Sequence, residues 1–80
     1  MAFDEGTFKK LSDVIVTELQ QLHPKMGELA RELSDVYIAM KKGTKTQADY
    51  LAVLDKFPPA NTLPPEVNKL MKNFIFSMTM

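Results

Sequence analysis

Cysteine is absent from this 80-residue chain, which also has a single histidine and only three glycines. Without thiols the chain cannot form a disulfide, a thiolate metal site or a cysteine nucleophile. A chain of this length forms one small domain, which buries only about 60% of the surface that its unfolded form exposes. Stability must therefore come from the packing of a small apolar core.

Net charge is absent as well, because ten basic side chains balance ten acidic ones. A generic nucleic-acid binder needs net or clustered positive charge, so this balance argues against that class. No apolar run approaches 18 residues, and we expect no membrane-spanning helix. Residues 1–5 are acidic and lack the apolar segment of a secretory signal, which favours a cytoplasmic location.

Catalytic groups are equally scarce. His23 stands alone beside Pro24, and no nucleophile–base pair or glycine-rich phosphate loop accompanies it. The carboxylates of Glu28, Glu32 and Asp35 share a predicted helix face, but basic side chains nearby neutralise them and no histidine has ligand spacing. We therefore expect no catalytic residues, no metal site and no cofactor.

The clearest pattern that is present is an apolar stripe with spacings of three or four residues. Its members are Phe8, Leu11, Ile15, Leu19, Leu22, Met26, Leu29, Leu33, Val36 and Met40. At about 100° per residue they fall within roughly 100°, which is typical of an amphipathic helix. The stripe keeps its phase across Pro24, and this favours one long kinked helix over about 7–42, with Thr7 or Asp4 as its N-cap. The alternative is a helical hairpin in which His23 caps a second helix that begins at Pro24.

The remaining sequence predicts an all-α fold in which two shorter helices pack back on the first. Gly43 follows two lysines and marks the end of the first helical segment. Thr46 and Asp49 have the spacing of a capping box that opens a short helix over about 47–57. Two Pro-Pro pairs make 58–65 a stiff strap, and Pro65 opens a last helix over about 65–78.

Apolar side chains in excess of a small core are the main functional signal. On the last helix Phe76 and Met80 fall opposite the apolar side, and Ile75 lies on its flank. We predict a partner-binding surface made of Phe76, Ile75, Met78 and Met80. The first helical segment is longer than the short helices can cover, which predicts a homodimer. Its self-association surface would consist of Phe8, Leu11, Ile15 and Leu19.

These features predict a small non-enzymatic protein–protein interaction module of inhibitor, adaptor or chaperone type, acting as a homodimer through exposed apolar helix faces. One alternative is a structural subunit that self-associates. The other is a small nucleic-acid-associated regulator that uses the lysines near Gly43. In that case Lys41, Lys42 and Lys45 would form a patch for a phosphate or an acidic partner, although a capped helix end also explains them.

Overall fold

The computed structural model describes residues 4–78, and within that range the chain forms four α-helices and no strand. Their bounds are α1 Glu5–Leu22, α2 Pro24–Lys41, α3 Gln47–Leu54 and α4 Pro65–Met78. A short 3-10 helix, Ala60–Thr62, lies in the proline-rich strap. The helices pack against one another, α1 on α2 and α4, and α2 on α3. The predicted all-α class is confirmed.

The predicted long kinked helix is wrong, because α1 and α2 are separate helices. His23 between them has extended backbone angles, with φ −156° and ψ 92°. Its N–H donates to the Leu19 carbonyl (2.7 Å), and its Nδ1 accepts from the N–H of Met26 (3.3 Å). Pro24 then occupies the first position of α2, where a missing N–H removes no helical hydrogen bond. The hairpin alternative describes this part of the chain.

Asp4 caps the N-terminus of α1, whereas Thr7 lies inside the first turn. The Asp4 carboxylate accepts from the Thr7 N–H (3.1 Å) and from the Thr7 hydroxyl (2.8 Å). These two hydrogen bonds favour the ionised carboxylate and lower the pKa of Asp4 below its ordinary value. The cap is therefore strongest when Asp4 is charged.

Antiparallel packing of α1 on α2 is fixed by polar contacts along the hairpin. Near its open end the Lys42 ammonium lies 2.9 Å from the Glu5 carboxylate. Inside, the Ser34 hydroxyl donates to the Ser12 hydroxyl (3.2 Å), which donates in turn to the Lys9 carbonyl (3.2 Å). Both serines are buried, so these bonds satisfy groups that water cannot reach.

The two helices come close together at Gly27, which is buried near the turn. A Cβ at this position would lie 2.7 Å from the Cα and 2.8 Å from the backbone nitrogen of Gln20. Real Cβ atoms essentially never approach other atoms so closely, so the absence of a side chain at residue 27 permits the hairpin geometry. The apolar stripe in the sequence does not predict this contact between Gly27 and Gln20.

The other two helices pack mainly on different helices of the hairpin, α3 on α2 and α4 on α1. After α2, Gly43 adopts φ +85°, and α3 opens with the predicted capping box of Thr46 and Asp49. It ends at Leu54, three residues before the predicted end. Helix α4 packs on α1, and the buried Tyr37 hydroxyl of α2 donates to the carbonyl of Met78 at the end of α4 (2.8 Å).

The core uses only part of the predicted stripe. Its apolar members are Phe8, Val16, Leu19, Met26, Leu29, Ala30, Leu33, Val36, Tyr37, Val53, Val67, Met71, Phe74 and Met78. Leu11 and Leu22 remain about half exposed, and Ser12 and Val16 are buried in their place. The reason is that α1 must face α2 and α4 at once, which turns its buried side toward Ser12 and Val16.

Replacing Pro24 with alanine tests the break between α1 and α2. Proline at the first helical position restricts the unfolded chain, so its loss is expected to lower the free energy of unfolding by about 0.4–1 kcal/mol. The helical circular dichroism signal should stay unchanged, since no helical hydrogen bond is gained. A rise in both helicity and stability in urea titration would contradict the break and restore the continuous helix.

Candidate interaction surface

Large apolar side chains are exposed at six positions among the described residues. They are Leu11, Val14, Leu22, Leu51, Ile75 and Phe76. Three of the six lie on α1, and at 100° per residue Leu11, Val14 and Leu22 fall within an arc of about 80°. Val14 is 61% exposed, on a helix whose other side packs on α2 and α4. We name Leu11, Val14 and Leu22 the α1 ridge.

Polar groups around the α1 ridge complete its geometry. A shallow depression beside Val14 is lined by Asp13, Val14, Thr17 and Glu18. Glu18 falls within the arc of the ridge, and Lys10 lies about 40° beyond its Val14 side. Both are exposed, and within residues 4–78 neither forms an ion pair, whereas Asp13 pairs with Arg31 of α2 (3.8 Å).

The four residues predicted for self-association do not form one surface. Phe8 is only 7% exposed, with its ring centroid 4.9 Å from that of Tyr37, and Leu19 is fully buried. Ile15 is partly buried against the core, and only Leu11 is well exposed. Phe8 and Leu19 are therefore corrected to core positions. Val14 was missed because the stripe omitted it, although its spacing of three from Leu11 could have indicated it.

The predicted surface on α4 is also divided. Phe76 is 65% exposed and Ile75 is 38% exposed, but Met78 is buried in the core at 6%. Ile75 borders a small apolar cavity of about 130 Å³ that Met26 and Leu54 also line, so it faces a different side from Phe76. Met80 lies outside the described residues. Phe76 is thus the most exposed described member of the predicted surface.

The three lysines of the predicted phosphate patch lie in different surroundings. Lys42 forms the ion pair with Glu5, and the Lys41 ammonium lies 5.4 Å from the centre of the Tyr37 ring. Lys45 lies instead at the groove between α2 and α3. The three ammonium groups therefore do not converge on one binding position.

The groove between α2 and α3 has a volume of about 410 Å³ and is open to solvent. The Lys56 ammonium spans it to the Glu32 carboxylate at 2.6 Å. The Asp49 carboxylate accepts from the N–H and the hydroxyl of Thr46, and these hydrogen bonds lower its pKa. Three of its charged groups are thus occupied in holding α3 in place, and Asp35 and Lys45 are the other charged residues of its lining.

Other classes of site gain no support from the described residues. Within residues 4–78 no three histidine or acidic side chains lie close enough together to hold a metal ion. No helix in this range combines the length and apolarity needed to cross a bilayer. Comparison with protein-family models, curated proteins and solved structures finds no match to this chain. The α1 ridge is therefore interpreted from its own geometry.

Proposed function

We propose that this protein is a small non-enzymatic interaction module, of inhibitor, adaptor or chaperone type, that works in the cytoplasm. It binds another protein chain through the α1 ridge. The observation that carries this proposal is the exposure of Val14, at 61%, on the same side of α1 as the exposed Leu11 and Leu22.

The energetic argument rests on what these side chains do for the fold. Leu11, Val14 and Leu22 contribute little to the core, because about half or more of each remains in water. Full burial of one such side chain is worth roughly 1.5–3 kcal/mol, so covering the ridge with another chain supplies a large driving force. A row of exposed apolar side chains rimmed by polar groups is typical of a binding surface.

Phe76 offers a second contact on a different helix. Exposed aromatic side chains often act as anchors in protein interfaces, where a single one can contribute about 2 kcal/mol or more. Helix α4 packs on α1, so Phe76 and the α1 ridge belong to neighbouring helices. A partner that covers the ridge and reaches over α4 would bury both.

Site-specific photo-crosslinking tests the proposed function. A photo-reactive amino acid at position 14, in cells that express the protein, is expected to give discrete crosslinked adducts. The matched position is Leu51 on α3, which is also about half exposed and should give none. Adding Leu11→Asp to the position-14 protein should abolish the adducts, whereas adding Leu51→Asp should not.

The controls decide between a ridge interface and general stickiness. Leu11 and Leu51 are 53% and 48% exposed, so the two aspartate variants remove similar apolar surface. Both should unfold within a few degrees of the parent protein in thermal circular dichroism. No adduct at position 14, or adducts that persist with Leu11→Asp, would contradict a function through the α1 ridge.

A further inference from the structure

We infer that the α1 ridge binds the α1 ridge of a second copy of this chain, with the two helices antiparallel about a two-fold axis at Val14. This inference rests on the proposed function and names its partner. Two independent features of the α1 surface support it, one of charge and one of shape. Both are already visible in the single chain.

The charge argument comes from Lys10 and Glu18. They stand four residues before and four residues after Val14, about 6 Å along the helix axis in each direction. A two-fold axis through Val14 therefore sets Lys10 of each copy opposite Glu18 of the other, and the contact occurs twice. Parallel helices would instead oppose lysine to lysine and glutamate to glutamate, which is unfavourable.

The availability of these two charges strengthens the argument. On the side of α1 that faces α2, Asp13 is paired with Arg31 at 3.8 Å. On the ridge side, Lys10 and Glu18 have no ion pair within residues 4–78 although both are exposed. Glu18 lies among the ridge side chains, so covering the ridge with a purely apolar surface would bury its carboxylate at a cost. A lysine on the covering chain removes that cost.

The shape argument comes from the depression beside Val14. Its lining residues are Asp13, Val14, Thr17 and Glu18, so a facing helix can approach α1 closely beside Val14. In the same antiparallel register Val14 of the second copy lies opposite Val14, next to this depression. The charges thus select the register and the depression accommodates it, which gives the self-complementary arrangement of a two-fold dimer.

Charge exchange in the purified protein tests the arrangement. We expect the dimer dissociation constant, measured by sedimentation equilibrium, to rise about tenfold with Lys10→Glu and about tenfold with Glu18→Lys. Each single substitution replaces two attractive contacts with two repulsive ones. The double variant restores opposite charges in the antiparallel register, so its dissociation constant should return to near that of the parent. High salt should reduce all of these differences.

Mixing the single variants gives a second readout. Lys10→Glu leaves acidic side chains at both positions 10 and 18, and Glu18→Lys leaves basic side chains at both. An equimolar mixture is therefore expected to form a heterodimer more tightly than either variant self-associates. Neither side chain forms an ion pair with another described residue, so melting temperatures should stay close to that of the parent. Unchanged melting temperatures would exclude unfolding as the cause of weaker association.

The results that overturn the inference differ from those that overturn the proposed function. A parent protein that stays monomeric at high micromolar concentration overturns the second-copy interface, as do single variants that dimerise like the parent. A double variant that remains weak overturns the antiparallel register. If crosslinks at position 14 persist while the pure protein is monomeric, the ridge has a different partner and only this inference fails. If crosslinks and dimer are both missing, the proposed function fails too.

Discussion

Replacing Phe74 with alanine is expected to lower the free energy of unfolding by about 3–5 kcal/mol. The Phe74 ring is fully buried on α4 and is among the largest completely covered side chains of the described core. An 80-residue domain has a total stability on the order of 4–12 kcal/mol, so this one truncation removes a large part of it. Denaturant titration followed by circular dichroism would measure the loss.

Phe76 provides the matched control for this experiment. It has the same side chain on the same helix two residues later, but 65% of it is exposed. Phe76→Ala should therefore cost less than about 1 kcal/mol and shift the melting temperature by only a few degrees. Equal destabilisation by the two variants would show that both rings support the fold, and Phe76 could then no longer be proposed as a binding contact.

Gly27→Ala is the second substitution with a large expected effect. Added to residue 27, a Cβ would meet the backbone of Gln20 at 2.7–2.8 Å, so α2 would have to move away from α1. Overpacking of this kind typically costs 1–3 kcal/mol, and we expect about 3 kcal/mol because the obstacle is backbone and cannot rotate aside. The loss should appear as a lower midpoint in urea and a lower melting temperature.

Gly6→Ala supplies the control for Gly27→Ala. Gly6 also lies in a helix, but its Cβ would make only an ordinary contact with the Asp4 carboxylate at 3.6 Å. There the helix propensity of alanine should leave stability unchanged or raise it by up to about 1 kcal/mol. Opposite signs for the two substitutions would confirm the close approach of α1 and α2. Similar small effects would contradict it.

Interactions that span only a few residues could be predicted from the sequence. The Thr46–Asp49 capping box and the left-handed Gly43 depend on neighbouring groups alone, and both form as the sequence indicated. The start of α4 at Pro65 is of the same kind, since the fixed φ of proline suits the first position of a helix. At these positions the local interactions favour one backbone structure, so tertiary packing does not select among several.

Local interactions could not predict whether residues 5–41 form one helix or two, because both structures fit the same apolar pattern. An apolar stripe that keeps its phase across Pro24 suits a continuous helix, but it equally suits two helices that each face a common core. The structure uses His23 as both the end of α1 and the cap of α2. The contacts that specify the hairpin are those between its two helices. Gly27 packs against Gln20, and the buried hydroxyl groups of Ser12 and Ser34 form a hydrogen bond.

The position of the candidate surface also depended on tertiary packing. Sequence spacing identified amphipathic helices and therefore determined that α1 has one apolar side. Which part of that side is buried depended on where α2 and α4 pack, and they covered Phe8 and Leu19 while leaving Leu11 and Val14 in water. When the apolar side of a helix is wider than its neighbours can cover, some of its apolar side chains must stay exposed. Only the positions of the neighbouring helices decide which side chains these are.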